Sequence, residues 1–156
     1  MIVYHASPFK IEQPDINHSR ECLDFGKGFY LTTIYEQAVK YAQRFKLRGK
    51  QAFVNTYELS DNLDSFDVKT FSLYDEEWLD FVSACRRNAD LSTYDIVVGG
   101  IANDKVFRTI DLYFSGDMNK DDALSKLKYE QPNNQLCIRS QKAIEKCLKF
   151  MKAEEI

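Results

Sequence analysis

Two glycines one residue apart, Gly26 and Gly28, lead into the aromatic run Phe29-Tyr30-Leu31 and then into a helix start at Thr33. Glycine lets a backbone turn sharply or lets another group come close, while the run that follows favours a strand. A tight turn, a short strand and a helix N-terminus thus fall within the ten residues from Asp24 to Thr33. Such a stretch makes a compact place to hold a polar ligand. Glu36, three residues after Thr33, completes a capping box. Ile34, Ala38, Tyr41, Ala42 and Phe45 recur at helical spacing as the expected core face, and Gly49 is placed to end the helix.

The 156 residues are expected to form one domain, 1–156, with 44% hydrophobic and 29% charged residues as in a soluble globular protein. Aromatic content of 13% predicts a core and any pocket lined with rings. A formal charge of −3 gives no net attraction to phosphate backbones. One local exception is the cluster Lys40, Arg44, Lys46, Arg48 and Lys50, which reads either as a solvated helix face or as a contact for phosphate or a target. Four cysteines lack any Cys-x-x-Cys pair, and no metal site is expected. Reduced thiols, the lack of a signal peptide and the lack of a long apolar run predict a cytoplasmic protein that does not enter a membrane.

Ile2-Val3-Tyr4 reads as a strand running into His5-Ala6-Ser7, with an ordered loop from Pro8 to Leu23. Further strands are expected over Gln51 to Leu59, Asp64 to Lys69, Tyr94 to Val98 and Gln135 to Ile138. Asp75 caps a second helix carrying Trp78, Leu79, Val82 and Cys85. A third helix carries Val106, Ile110 and Tyr113, and a shorter fourth runs near Asp121 to Leu127. Pro132-Asn133-Asn134 is turn chemistry. Ser140 caps a last helix whose Ala143, Ile144, Cys147, Leu148 and Met151 face the core. Strands and helices mix without regular βαβ alternation, so the expected class is α+β.

Asp24-Phe25-Gly26 matches the kinase metal-binding tripeptide, yet no catalytic loop or Gly-rich phosphate loop accompanies it. There is no Walker loop, no dinucleotide fingerprint and no nucleophile elbow. Three pieces remain, each a polar group at a strand terminus: Tyr4-His5-Ala6-Ser7, Gly28-Phe29-Tyr30 and Asn134-Gln135-Leu136.

In this order and with this flanking, the three pieces resemble the histidine-tyrosine-glutamate branch of the ADP-ribosyltransferase superfamily, which includes diphtheria toxin and the poly(ADP-ribose) polymerases. There a strand ends in a His-Gly-(Ser/Thr) motif, matched here by His5-Ala6-Ser7. A Gly-Lys-Gly-(Ile/Phe)-Tyr segment and a helix with an alanine-tyrosine pattern follow, matched by Gly26 to Leu31 and by Ala38, Tyr41 and Ala42. A late strand carries the glutamate after an asparagine, and here Asn134 is followed by Gln135. The whole chain also looks like a small bacterial family of unknown function placed in that superfamily.

The resemblance implies a split antiparallel β core with peripheral helices and NAD as substrate, with no metal. It implies catalytic roles for His5, Tyr30 and Gln135, and a cofactor site of His5, Ala6, Ser7, Gly28, Phe29, Tyr30 and Tyr41. The histidine would bond a ribose hydroxyl, the Ala6 backbone would hold the nicotinamide amide, and Tyr30 and Tyr41 would flank the ring. Cleavage passes through a cationic sugar, which a nearby negative charge stabilises. Gln135 in place of glutamate supplies a hydrogen bond but neither charge nor general base, so chain extension is not expected. Asp104 is the candidate auxiliary acid, with Asp95 and Glu130 behind it.

The leading expectation is a mono-ADP-ribosyltransferase acting as a toxin or regulator. Its target would be a macromolecule, protein rather than nucleic acid for so acidic a chain, and resemblance alone adds an antitoxin-like protein partner. A module that binds NAD or ADP-ribose without turnover is the alternative, and an unrelated α+β interaction domain is a third reading.

Overall fold

Strand β1 (Ile2–Ser7) begins at the chain terminus, with the Met1 ammonium on the Leu59 carbonyl at 2.9 Å. It pairs antiparallel with β3 (Phe53–Leu59), the most β-favouring run in the sequence. Val3, His5 and Ser7 alternate with Tyr4 and Ala6 between its two faces. The structure is a computed structural model that describes residues 1–100, 104–128, 130 and 134–156, the side chain of residue 104 excepted.

Two sheets form among the described residues. The first has the order β1-β3-β7, its last strand being β7 (Leu148–Glu155). The second contains β2 (Phe29–Leu31), β6 (Gln135–Ile138), β5 (Ile96–Gly99) and β4 (Val68–Thr70), in that spatial order. One bridge joins them: Tyr4 and Thr32 exchange backbone hydrogen bonds of 2.8 and 3.0 Å.

The sheets face each other across a buried layer to which Val3, Tyr57, Phe29, Leu31, Leu136 and Ile138 contribute, closed by α5 (Gln141–Cys147). On the outer face of the first sheet, Ala38 and Ala42 of α1 (Tyr35–Leu47) pack on Ala52 and Val54. On the outer face of the second, α2 (Glu76–Arg86), α3 (Asp104–Ser115) and α4 (Lys120–Leu127) cover Phe25, Val97 and Cys137. Asp75 and Ser140 cap α2 and α5 as expected, each side chain accepting the backbone N–H three residues on.

The α+β class holds, with five departures. The strand expected over Asp64 to Lys69 forms only over Val68–Thr70, because a turn closed by the Phe66 N–H on the Leu63 carbonyl precedes it. Strands β4 and β5 run parallel, so the core is not wholly antiparallel. No capping box forms at Thr33; Ile34 occupies the N-cap position without a side-chain bond, and the Thr32 hydroxyl accepts the Ile34 N–H at 3.1 Å. Bridging to Tyr4 holds Thr32 in extended backbone, so the helix starts later. Ile34 and Tyr41 are exposed, because two alanines suffice to seat α1 closely on the sheet. The last helix stops at Cys147, and Leu148 and Met151 belong to β7, which pairs with β3. Ile144, Cys147, Leu148 and Met151 match helical spacing, yet the half-buried Leu148 and Phe150 also match a period of two. The vacant edge of β3 selects the second pattern.

Gly28 is required by packing. A Cβ there would meet Cys137 Sγ and lie 2.7 Å from the Ile138 carbonyl oxygen, so β6 itself occupies the space that a side chain would need. Gly28→Ala should destabilise the fold by about 1–3 kcal/mol, read as a lower urea midpoint with unchanged slope.

Candidate functional site

An antiparallel ladder that begins at Tyr4–Thr32 would continue two residues on with Ala6 and Tyr30 exchanging backbone hydrogen bonds. It does not continue. His5 Nδ1 lies 2.7 Å from the Tyr30 carbonyl oxygen and takes the acceptor that the Ala6 N–H would have used. A carbonyl only accepts, so Nδ1 carries the proton. Ala6 pairs with Val54 at a position where its own N–H and C=O point away from β3. No bridge pairs Ala6 with Tyr30, so beyond Tyr4–Thr32 the two sheets part, with those two groups and the Tyr30 N–H at the fork.

The His5 ring stacks on Phe29, with centroids 4.4 Å apart and planes 28° apart. Burial lowers the His5 pKa from its ordinary 6.5, outweighing the bond to the Tyr30 carbonyl. The imidazole is therefore neutral at pH 7, and its Nε2 offers a lone pair. On the neighbouring strand Asn55, fully buried and paired with His5, fastens the following loop. Its Oδ1 accepts the Ile11 N–H at 2.8 Å, and its Nδ2 donates to the Phe9 carbonyl at 3.0 Å. The Tyr57 hydroxyl donates to the Ile11 carbonyl at 2.6 Å. The Ser7 hydroxyl is drawn into the same turn, accepting the Phe9 N–H at 3.1 Å.

Tyr30 is half-buried on the opposite face of β2 from Phe29, packed with the cluster that contains Cys137. Its hydroxyl donates to the Gly26 carbonyl at 2.5 Å and accepts the Phe25 N–H at 3.1 Å. Burial, reinforced by Cys137, raises its pKa far above the ordinary phenol value. The phenol thus closes the Phe25–Gly26 turn, where Gly26 adopts φ +74°. Asp24 is held in place by Arg86, at 2.6 Å from Nη2 and 2.8 Å from Nε.

Tyr30 lies opposite Cys137, so Gln135 shares the sheet face of Tyr30. One further step of the register places Gln135 across from Thr32. Gln135 is buried, and its amide makes no hydrogen bond to another described residue. The carbonyl of the preceding Asn134 accepts Gln37 Nε2 from α1 at 3.4 Å, while Asn134 Oδ1 is buried without a partner. Tyr41, one helical turn beyond Gln37, stands exposed with its ring against Phe45. Its ring lies outside the core that α1 makes with the sheet.

The structure therefore brings His5, Ala6 and the Tyr30 backbone together directly and sets Gln135 on the adjoining strand. It commits the side chains of Phe29 and Tyr30 to packing and to a turn. Ala6 has no positive φ, so alanine in place of glycine carries no backbone strain. Asp95 lies at the far end of β5, accepting the Asp67 N–H at 3.0 Å. Glu130 follows α4, its N–H on the Leu127 carbonyl. Asp104 opens α3, and its side chain lies outside the described residues, as do Pro132 and Asn133.

Two surface cavities lie away from the fork. One, of about 360 Å³, surrounds Arg139, Asp90 and Ser92; the other, of about 520 Å³, lies beside β7. The Cys137 thiol is pushed up to about 12, chiefly by burial, which leaves it inert at pH 7. Among the described residues no three His, Cys, Asp or Glu side chains gather closely enough to hold a metal ion, and no helix is long and apolar enough to cross a membrane.

Sequence reasoning missed Asn55 and the packing role of Phe29. The one signal for Asn55 was a strand-averse residue inside Phe53-Val54-Asn55-Thr56-Tyr57.

The chain belongs to the family described as Protein of unknown function (DUF3990), whose profile matches residues 1–150. No curated protein and no solved structure matches it.

Because the folded state binds the His5 proton more weakly than the unfolded state, this group's contribution to stability is complete above the unfolded pKa of 6.5. It declines as pH falls from there through the lowered folded value. NMR titration of the His5 ring should give an apparent pKa below 6.5; an ordinary value would contradict the burial. Asn55→Ala should cost about 1–3 kcal/mol by leaving buried backbone groups unpaired, measured by denaturant unfolding.

Proposed function

We propose that this family member is an NAD-dependent mono-ADP-ribosyltransferase built on an ADP-ribosyltransferase-like split β core. The observation that carries the reading is the Ala6 backbone at the fork, which makes no bridge to Tyr30, beside a His5 whose Nδ1 is committed to the Tyr30 carbonyl and whose Nε2 carries the lone pair. A carboxamide presents one donor face and one acceptor, which matches the Ala6 C=O and N–H. A ribose hydroxyl can donate to His5 Nε2. The nicotinamide amide and the ribose lie on either side of one C–N bond, so the two grips would hold both ends of the bond that breaks.

In that reaction the electron pair of the glycosidic bond leaves with nicotinamide, and a cationic sugar forms. An acceptor nucleophile on a macromolecular target then bonds to the sugar and gives up its proton. Orientation contributes much of the rate in such a step. Gln135 lies on the Tyr30 face of the sheet, opposite the face where His5 stacks on Phe29, and its neutral amide contributes no countercharge. NAD as substrate fits a cytoplasmic setting. A role as toxin or regulator, a protein target and an antitoxin-like partner rest on the resemblance to the histidine-tyrosine-glutamate transferases. The neutral Gln135 also favours a second reading, an NAD- or ADP-ribose-binding module without turnover.

Incubation with NAD and measurement of free nicotinamide tests the proposal. Release should fall at least about tenfold in His5→Ala. Ala6→Pro removes the donor from an edge position without removing a ladder bond, and should abolish release with little change in melting. Gln135→Glu should raise release by about a hundredfold. NAD binding by calorimetry without release in any variant would leave the module; absence of both would sink the transferase reading.

A further inference from the structure

The most cationic segment of the chain borders the fork. Residues 35 to 50 hold Lys40, Arg44, Lys46, Arg48 and Lys50 against the single acid Glu36, in a protein of net charge −3. None of these five cations forms an ion pair with an acid among the described residues.

Three of the five share one stripe. Lys40, Arg44 and Arg48 follow at intervals of four residues, about 6 Å of helix rise each. Lys40 and Arg44 lie opposite the buried Ala38 and Ala42, and Arg48 follows at the C-cap. Tyr41 stands beside them, 43% exposed, with the Arg44 guanidinium 5.3 Å from its ring centre. The stripe starts at Gln37, whose side chain reaches the Asn134 carbonyl immediately before Gln135. A helix C-terminus attracts cations by itself, which accounts for Arg44, Lys46 and Arg48. It does not account for Lys40, two turns before the C-cap, or for an exposed aromatic ring among charges.

We infer that the outer face of α1 is a docking surface for single-stranded nucleic acid. Evenly spaced cations fit a polymer of evenly spaced phosphates, and an exposed ring among them offers a stacking platform for an unpaired base. A duplex keeps its bases stacked and would leave Tyr41 unused. An acidic protein would meet the cations but has no equivalent use for the tyrosine. Binding at this face stands independently of NAD cleavage. Its position makes nucleic acid the acceptor class only if the transferase reading holds.

Fluorescence anisotropy with labelled single-stranded RNA and DNA of about 16 nucleotides, without NAD, tests the binding. Affinity should fall with rising salt at a log–log slope near −2, about −0.7 for each of three phosphate contacts. Lys40→Glu with Arg44→Glu and Arg48→Glu should weaken binding at least about tenfold, as should Tyr41→Ala alone. The control Lys126→Glu with Lys142→Glu should leave it unchanged. If the charge reversals unfold the chain, the same three positions changed to Gln provide the comparison. Equal binding of polyglutamate would assign the face to an acidic protein and overturn the inference. So would no binding to either oligonucleotide at low salt, or binding that the stripe variants leave intact. His5→Ala should retain oligonucleotide binding whether or not the wild type releases nicotinamide, which separates this outcome from failure of the transferase reading.

Discussion

A single side-chain hydrogen bond keeps the two sheets from zipping together. Tyr4 and Thr32 make the first rung of a ladder, and Ala6 and Tyr30 are in register to make the second. His5 Nδ1 bonds the Tyr30 carbonyl at the position where that second rung would fall, and no bridge forms there. A buried carbonyl must be paired, and the histidine satisfies it. The fork is therefore a position where a ladder bridge gives way to a side-chain contact.

The surroundings hold that exchange in place. Phe29 backs the imidazole, and Asn55 and Tyr57 tie down the loop that follows β1. On the other face of β2 the Tyr30 phenol closes the Phe25–Gly26 turn, and Arg86 anchors Asp24 to α2. Gly28 lets β6 come close enough to pair with β2, which places Gln135 beside the bridge. These contacts lie on separate faces and separate strands, yet they all fix the position of the Tyr30 backbone. The residue of greatest apparent chemical interest in the sequence thus serves through its carbonyl and its hydroxyl, while its ring packs.

This division bears on function. The histidine and the backbone groups at the fork supply donors and acceptors but no charge, and Gln135 continues that pattern. Any stabilisation of a cationic sugar would come from orientation and dipoles or from an acid outside this set. The concentration of cations on α1 gives the opposite electrostatic character to the neighbouring surface. Neutral polar groups at the fork thus lie beside a basic helix face.

Much of the architecture was legible in the sequence because its signals are local. The turn glycines, the aromatic strand, the Asp75 and Ser140 caps and the alanine face of α1 each depend on residues a few positions apart. The assignment of His5, Ala6 and Tyr30 to one neighbourhood came from motif order, and the fork unites them. What failed depended on distant partners. Thr33 lost its cap because Tyr4, far back in the chain, holds Thr32 extended. Leu148 to Met151 became strand because β3 had an open edge, although their spacing also suited a helix. Asn55 carried its role through hydrogen bonds to a loop more than forty residues away. The sequence by itself determined the α+β class and most elements. Only the tertiary structure decided that the meeting place is a fork, because whether Ala6 or His5 bonds the Tyr30 carbonyl depends on how two sheets pack, not on either strand alone.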